Sequence, residues 1–334
     1  MKALVTGGGG FLGEQIVRQL RERGDEVTVV GRRVYPDVIA LGATCVRADL
    51  ADPDVALAPV FEGHDVVFHA AALPPYNAPY AVFEATNVHG TTRVIDACRA
   101  SGVGRLVYTS TPSVTFDGAD AEGVSEAQAP YPDRFLTPYA ATKAQAEQAV
   151  LAANGPQLAT TALRPHLIYG EAEPHMLPRV VQRNRSGRLR VIGDGHNRVG
   201  LTYVGNAAWA HLQAADALTD ASSPNAGRAY FLTDPEPVQL WPWINRFLEG
   251  IGEPPVTRHI SLSAAQRVGQ VMEALWSWLP LPGEPPMTRF VAAQLATHHF
   301  YDLSAARADF GLTWPVSGEE GLARTIAWFK EHRP

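Results

Sequence analysis

The sequence has few of the residues that would let something other than a packed apolar core hold it together. Cysteine occurs only twice in 334 residues, as Cys45 and Cys98. Two thiols make no disulfide framework, and they have no partners at metal-ligand spacing. Both fall in stretches that read as strand or helix, so reduced core residues, a cytoplasmic setting and no metal are expected. Long apolar runs are missing too, and none is long enough to cross a bilayer. The N-terminus shows no charged segment leading into an apolar one, so no secretory leader is expected. Basic residues are not in excess: 28 Lys and Arg stand against 34 Asp and Glu, for a net charge of −6. With the signs interspersed, no nucleic-acid surface is expected. Repeats and low-complexity segments are absent. What remains is ordinary globular material, 46 % hydrophobic and 19 % charged.

The most informative stretch is the first, Lys2 to Gly13, read KALVTGGGGFLG. Lys2 to Thr6 reads as a buried strand, and an apolar-periodic helix follows from Glu14 to Arg23. Between them Gly7, Gly10 and Gly13 are spaced GxxGxxG. A strand, a glycine turn and a helix together let backbone N–H groups approach a pyrophosphate, with the positive end of the helix dipole adding attraction. Gly7, Gly10, Phe11 and Leu12 are therefore assigned to a dinucleotide. Gly13 lets the helix pack on the strand.

The next strands read as Glu26–Val30, Thr44–Arg47, Asp65–His69 and Arg105–Tyr108, with a helix over Tyr80–Ala100. The Glu26 strand ends at Gly31-Arg32-Arg33, and no acidic residue lies between Val30 and Tyr35. An acid there would hold ribose hydroxyls, whereas arginine accommodates a 2′-phosphate. Arg32 and Arg33 thus favour NADP(H) over NAD(H). Asp49, with Leu50 beside it, meets the adenine or caps the next turn. Ala70 and Ala71, after His69, suit a wall beside the cofactor. His69 reads as a packed strand-end residue. Ala119–Asp133, acidic and with two prolines, reads as a surface loop.

Strand–helix alternation to about residue 165 predicts an α/β fold, a Rossmann-type doubly wound parallel sheet. The division expected is a dinucleotide-binding unit over 1–170 and a smaller, mostly helical substrate lid over 171–334, interleaved with the last strands. In the lid, Ser263–Leu281 sets Val268, Val271, Met272, Leu275, Trp276 and Leu279 near helical spacing, with Trp278 beside them. Packing into the core or lid is the expectation, ahead of a membrane-surface helix, because the stretch carries little positive charge.

Chemistry is expected at Tyr139 and Lys143, which open a helix after Thr137-Pro138. Positions i and i+4 share a helix face. An ammonium there should lower the phenol's pKa from about 10 toward the range useful for proton exchange with a carbonyl or alcohol. Thr111 or Ser113, at the end of the Arg105 strand, reaches the same oxygen. His175 and Arg198 are candidate contacts for a substrate carboxylate.

Taken in order, TGGGGFLG, HAAA, NVHGT, YTSTPSV, YAATK and LRPHLIYG span residues 1–170 and resemble the extended short-chain dehydrogenase/reductases. YTSTPSV, Gly193–His211 and EPPMTRF (Glu284–Phe290) are similar to the 3β-hydroxysteroid dehydrogenase-like branch. Within it, YPDVIALG, PYAATKAQAEQAVLAAN and GEPPMTRFVAAQL resemble bacterial reductases of head-to-head olefin biosynthesis. The resemblance implies Tyr139 as proton donor or acceptor, with Lys143 on the nicotinamide ribose. Thr111 falls at the family's Ser/Thr position, although serine is commoner there. Asn87 would support the site's water and backbone, and Pro165 to Leu167 would lie against the nicotinamide. It further implies NADPH-dependent reduction of an apolar 2-alkyl-3-oxoalkanoic acid, a homodimer, and assembly with other olefin-pathway enzymes. Alternatives are a sterol-carboxylate or 3β-hydroxysteroid dehydrogenase using NAD, an NDP-sugar epimerase, and a non-catalytic NADP sensor.

Overall fold

The computed structural model describes residues 1–74, 78–279 and 285–332. Seven strands build the main sheet: β1 (Lys2–Thr6), β2 (Glu26–Gly31), β3 (Thr44–Arg47), β4 (Val66–His69), β5 (Arg105–Thr109), β6 (Ala159–Pro165) and β7 (Arg228–Leu232). All neighbours pair in parallel, in the order β7-β6-β5-β4-β1-β2-β3. The order reverses between β1 and β4, so a crevice opens outside their carboxyl ends, where Thr6 stands level with Val30 and His69. This is the doubly wound sheet that strand–helix alternation predicts.

Strands covered on both faces must be apolar almost throughout, and β6 is buried over its whole length. On one face, Ile16, Val17 and Leu20 of helix Phe11–Glu22 pack with Val5, Val29, Ala207 and Ala208. On the other, Val94, Ile95 and Cys98 pack with Leu4, Leu106 and Val150. Both cysteines are free thiols, Cys98 buried and Cys45 half-buried.

Four details differ from the sequence reading. The first helix starts at Phe11, not Glu14, because Gly10 is extended (φ −94°, ψ 170°) and already caps it. The expected Tyr80–Ala100 helix runs to Ser101 but widens to a π-turn over Glu84–His89. The acidic Ala119–Asp133 stretch is not all loop: Ala121–Val124 is a strand, parallel to His299–Tyr301, in a second sheet with Arg198–Val199 and Val238–Gln239. Its partner is far along the chain, where local pattern is silent.

The fourth difference concerns helix Leu262–Trp278. Of its apolar stripe, Val268, Val271, Leu275 and Trp278 are exposed and not packed into the core, while Met272 and Trp276 are half-buried. Leu281, the expected end of that helix, and Glu284, which opens EPPMTRF, lie outside the described residues. Among the described residues no helix is long and apolar enough to cross a membrane.

Candidate active site

The glycine turn is tight enough to explain each glycine. Gly7 has φ +71°, and a Cβ on it would lie 2.7 Å from the Ala71 nitrogen. A Cβ on Gly13 would lie 2.2 Å from the Gly7 carbonyl oxygen. Gly7, beside Ala70-Ala71, and Gly10, at the helix N-cap, therefore leave a backbone cradle that side chains would fill. That cradle suits a dinucleotide pyrophosphate. Phe11 and Leu12 form the first helical turn behind it.

Beside the turn lies a cleft of about 250 Å³ lined by Gly9, Glu14, Arg33, Tyr35 and Asp37 among others. Arg32 and Arg33 are exposed and ion-pair with no described residue; Arg33 lies over the Tyr35 ring at 5.4 Å. Asp49 caps a turn, its Oδ1 accepting from the Ala51 N–H at 3.0 Å, and Leu50 is buried core.

Tyr139 and Lys143 come from helix Pro138–Ala152. Thr137 caps it, its hydroxyl accepting from the Ala140 N–H at 3.1 Å, and Pro138 fits the first turn, where no N–H is needed. Thr111, the cap of the short turn Pro112–Val114, donates its hydroxyl to the Ser113 hydroxyl at 3.3 Å and lies near enough to the Tyr139 phenol to lower its pKa. The structure therefore gathers Tyr139, Thr111 and Ser113 into one group. Lys143 is buried beside it. Its ammonium donates to the Thr109 carbonyl at 2.7 Å and lies 4.1 Å from the centre of the Tyr108 ring.

This geometry corrects one electrostatic expectation. Burial pushes the Tyr139 phenol up to about 12, and the Thr111 hydroxyl only partly offsets that. Lys143 is itself pushed down to about 7 by burial, against the opposing pull of the Glu147 carboxylate. The dry setting outweighs the four-residue spacing because the ammonium points at Thr109 and Tyr108, not at the phenol.

A polar ladder fixes the neighbourhood. Thr6 Oγ1 meets His69 Nδ1 at 2.6 Å, and His69 Nε2 meets Thr91 Oγ1 at 2.9 Å. Thr91 donates to the Asn87 carbonyl at 2.6 Å. Asn87 takes the Leu73 N–H at 2.9 Å and donates to Thr142 at 3.1 Å, tying the exit of β4 to the Tyr139 helix. Asn87 is the buried residue of the π-turn; such turns recur at functional sites. His69 is held neutral, pushed down to about 3 first by burial and then by the Lys143 charge. Pro165 ends β6, and Leu167 has φ +40°, strained backbone for a branched side chain.

Two expected contacts do not join this group. Arg198 is exposed on an inner strand of the second sheet, with its guanidinium 4.9 Å over the Phe300 ring. His175 is exposed on a separate cleft of about 620 Å³ with Pro178 and Arg179. The helix N-terminus beside it is already filled by the Glu173 carboxylate, which accepts the N–H groups of His175, Met176 and Leu177. Charge alone suggested both residues, and the side-chain partners described for Arg198 do not include Tyr139, Thr111 or Ser113.

The sequence reading missed Glu147. It sits one more four-residue step along the Tyr139–Lys143 face, fully buried, and Arg164 of β6 grips it with Nε at 2.9 Å and Nη2 at 2.6 Å. Tyr131 donates to the same carboxylate at 2.5 Å. The repeated spacing was a readable signal.

A parallel sheet with its switch point at a glycine turn, and a Tyr–Lys helix beside it, define the extended short-chain dehydrogenase/reductase class. The chain belongs to the 3-beta hydroxysteroid dehydrogenase/isomerase family, whose model matches residues 4–262. It is 49 % identical to the 2-alkyl-3-oxoalkanoate reductase of Stenotrophomonas maltophilia (strain K279a), over 98 % of this chain and 99 % of that one. It is 33 % identical to the mouse (Mus musculus) sterol-4-alpha-carboxylate 3-dehydrogenase, decarboxylating, over 99 % and 92 %. A solved structure of MoeE5 in complex with UDP-glucose and NAD superposes with a TM-score of 0.75 at 26 % identity, covering 100 % of both chains. The protein is accordingly an oxidoreductase that uses a nicotinamide dinucleotide on a CH–OH/C=O pair.

Proposed function

We propose that the protein reduces a long-chain 2-alkyl-3-oxoalkanoic acid to the 2-alkyl-3-hydroxyalkanoic acid with NADPH, in long-chain olefin biosynthesis. The observation that carries this reading is the grouping of Thr111 and Ser113 with Tyr139 just beyond the carboxyl end of β5, in a chain that matches a reductase of that name almost end to end.

Held at the cradle by Gly7 and Gly10, and walled by Ala70-Ala71, the dinucleotide supplies the hydride. Tyr139 gives its proton to the C3 oxygen. A phenol near 12 stays protonated at every ordinary pH, which suits a donor in the reducing direction. Thr111 orients that oxygen, and Ser113 keeps a hydroxyl proton for a second substrate oxygen. Lys143 holds the nicotinamide ribose, and Pro165 and Leu167 line the nicotinamide side. Arg32 and Arg33 take the 2′-phosphate. A β-keto acid loses CO₂ readily once its ketone is polarised, so its carboxylate needs hydrogen-bonded surroundings. Residues 171–334 act as the substrate lid, and the active unit is a homodimer that assembles with other enzymes of the pathway in the cytoplasm.

A second reading, oxidation of a 3β-hydroxy sterol carboxylate, is favoured by the 33 % identity to the sterol enzyme. The test follows nicotinamide absorbance with a long-chain 2-alkyl-3-oxo acid, a 3-ketosteroid and a UDP-sugar in parallel, each with NADPH and NADH. The account expects oxidation of NADPH with the keto acid alone. Turnover of the steroid or the sugar nucleotide, with none of the keto acid, would overturn it.

A further inference from the structure

Helix Leu262–Trp278 has an inner and an outer face of different character. Its inner face carries Ala265 and Gly269, and a Cβ on Gly269 would lie 2.7 Å from the Arg289 backbone nitrogen. That side is in closest contact with the chain behind it. The outer face presents Val268, Val271, Leu275 and Trp278 at steps of three, four and three residues, with Leu279 at the end. They are exposed by 42, 56, 40, 87 and 49 %. Ten large apolar side chains are exposed among the described residues, and these are five of them. Single exposed apolar residues need no explanation, but half of them on one stripe mark a surface that meets something.

The charge on the helix and just ahead of it identifies what the stripe meets. On the helix itself, Glu273 is held by Arg289, which donates from its backbone N–H at 2.7 Å and from Nε at 2.8 Å. Arg267 is exposed beside Val268. The remaining positive charge comes from other parts of the chain. Val191–Ile192 pairs in parallel with His259–Ile260, and the Val191 N–H donates to the Arg258 carbonyl at 2.9 Å. That pairing sets Arg190 near Arg258, just ahead of the helix, with Arg188 exposed in the preceding turn. Arg188, Arg258 and Arg267 ion-pair with no described residue. Asp194, in the turn after Ile192, accepts from the His196 N–H and is the acidic residue closest in sequence to this pair. A face built to meet its own copy would need carboxylates to answer these arginines, and the one carboxylate on the helix is already engaged.

We propose that this face docks on a bilayer surface bearing anionic lipid, the helix lying in the interface plane. The apolar stripe and Trp278 enter at the acyl boundary, and Arg188, Arg258 and Arg267 meet headgroup phosphates. The attraction falls with salt, as contacts between exposed charges do. Docking does not depend on the keto-acid reading, although an acid with two long chains would partition into the same layer.

The experiment floats the full-length protein with vesicles of phosphatidylcholine alone and of phosphatidylcholine mixed with phosphatidylglycerol. Flotation is expected with the mixed vesicles and largely lost with phosphatidylcholine alone or at high salt. Arg258→Ala and Arg267→Ala should each lower partitioning about fivefold. Val271→Asp with Leu275→Asp should abolish it while the melting temperature and nicotinamide binding stay those of the parent. Brominated lipid should quench the parent's emission far more than that of Trp278→Phe. Failure to float with either vesicle overturns the proposal, as does flotation that ignores Val271→Asp and Leu275→Asp. A change in oligomeric state on those substitutions, with no vesicle binding by the parent, would instead make the face a contact between copies.

Discussion

Lys143 shows how burial can reverse a simple expectation at the scale of one side chain. In the fold, burial pushes its ammonium down to about 7 from the ordinary lysine value of 10.5. Between those values the unfolded chain binds the extra proton, so folding gains stability as pH rises through that window. Below about pH 7 both states are charged and the full cost of burying the ammonium is present. In urea unfolding, the stability of the parent relative to Lys143→Met should therefore climb from pH 7 to pH 10. A difference independent of pH would contradict the burial described for this residue. That Tyr139 and Lys143 open one helix was legible from Thr137-Pro138 and their spacing, read together with the glycine turn and the Thr111 segment. The raised phenol was not, because a linear sequence shows neighbours on a helix but not how dry their surroundings are. For the same reason, charge could nominate His175 and Arg198 but could not reveal that Glu173 and Phe300 engage their surroundings.

At the scale of the element, the glycine turn and the Tyr139 helix carry the site. Gly13→Ala would ordinarily favour a helix interior by about 1 kcal/mol. Here the new methyl meets the Gly7 carbonyl at 2.2 Å, where backbone cannot yield cheaply. Gly13→Ala should lower stability by about 1–3 kcal/mol in urea and weaken dinucleotide binding. Arg33→Ala should weaken NADPH binding by roughly 10- to 100-fold and leave NADH unchanged, read by fluorescence titration. Equal losses for both cofactors would remove the 2′-phosphate role. Turn chemistry made the glycine motif and the Thr137-Pro138 start readable. The π-turn at Asn87 and the Glu147–Arg164 pair were harder to see: one depends on tertiary packing, the other on a partner in β6.

Across the whole molecule, four histidines on different elements share one property. Burial holds His69 and His299 down to about 3 and His166 and His211 down to about 4. Unfolded, each would take a proton below about pH 6.5, so the folded state loses stability as pH falls from there toward 4. The loss per histidine is about 1.4 kcal/mol for each pH unit. Acid unfolding followed by circular dichroism should begin near pH 6, above the carboxylate range. The seven-stranded sheet was legible because each strand is a short apolar run between turns. The second sheet was not, because it joins Ala121–Val124 to His299–Tyr301 across most of the chain. The exposed side of helix Leu262–Trp278 was not legible either, because helical spacing alone does not say which face packs on the chain behind it.

The central claim is that Tyr139 delivers the proton in a reduction carried out beside the glycine cradle. The most direct measurement compares the parent with Tyr139→Phe, which keeps the ring and its packing against Phe83. NADPH affinity is read by fluorescence, and single-turnover oxidation of bound NADPH by a 2-alkyl-3-oxo acid is read by absorbance. The account predicts unchanged affinity and oxidation slowed by roughly 10²- to 10⁴-fold. Oxidation at the parent's rate would contradict it.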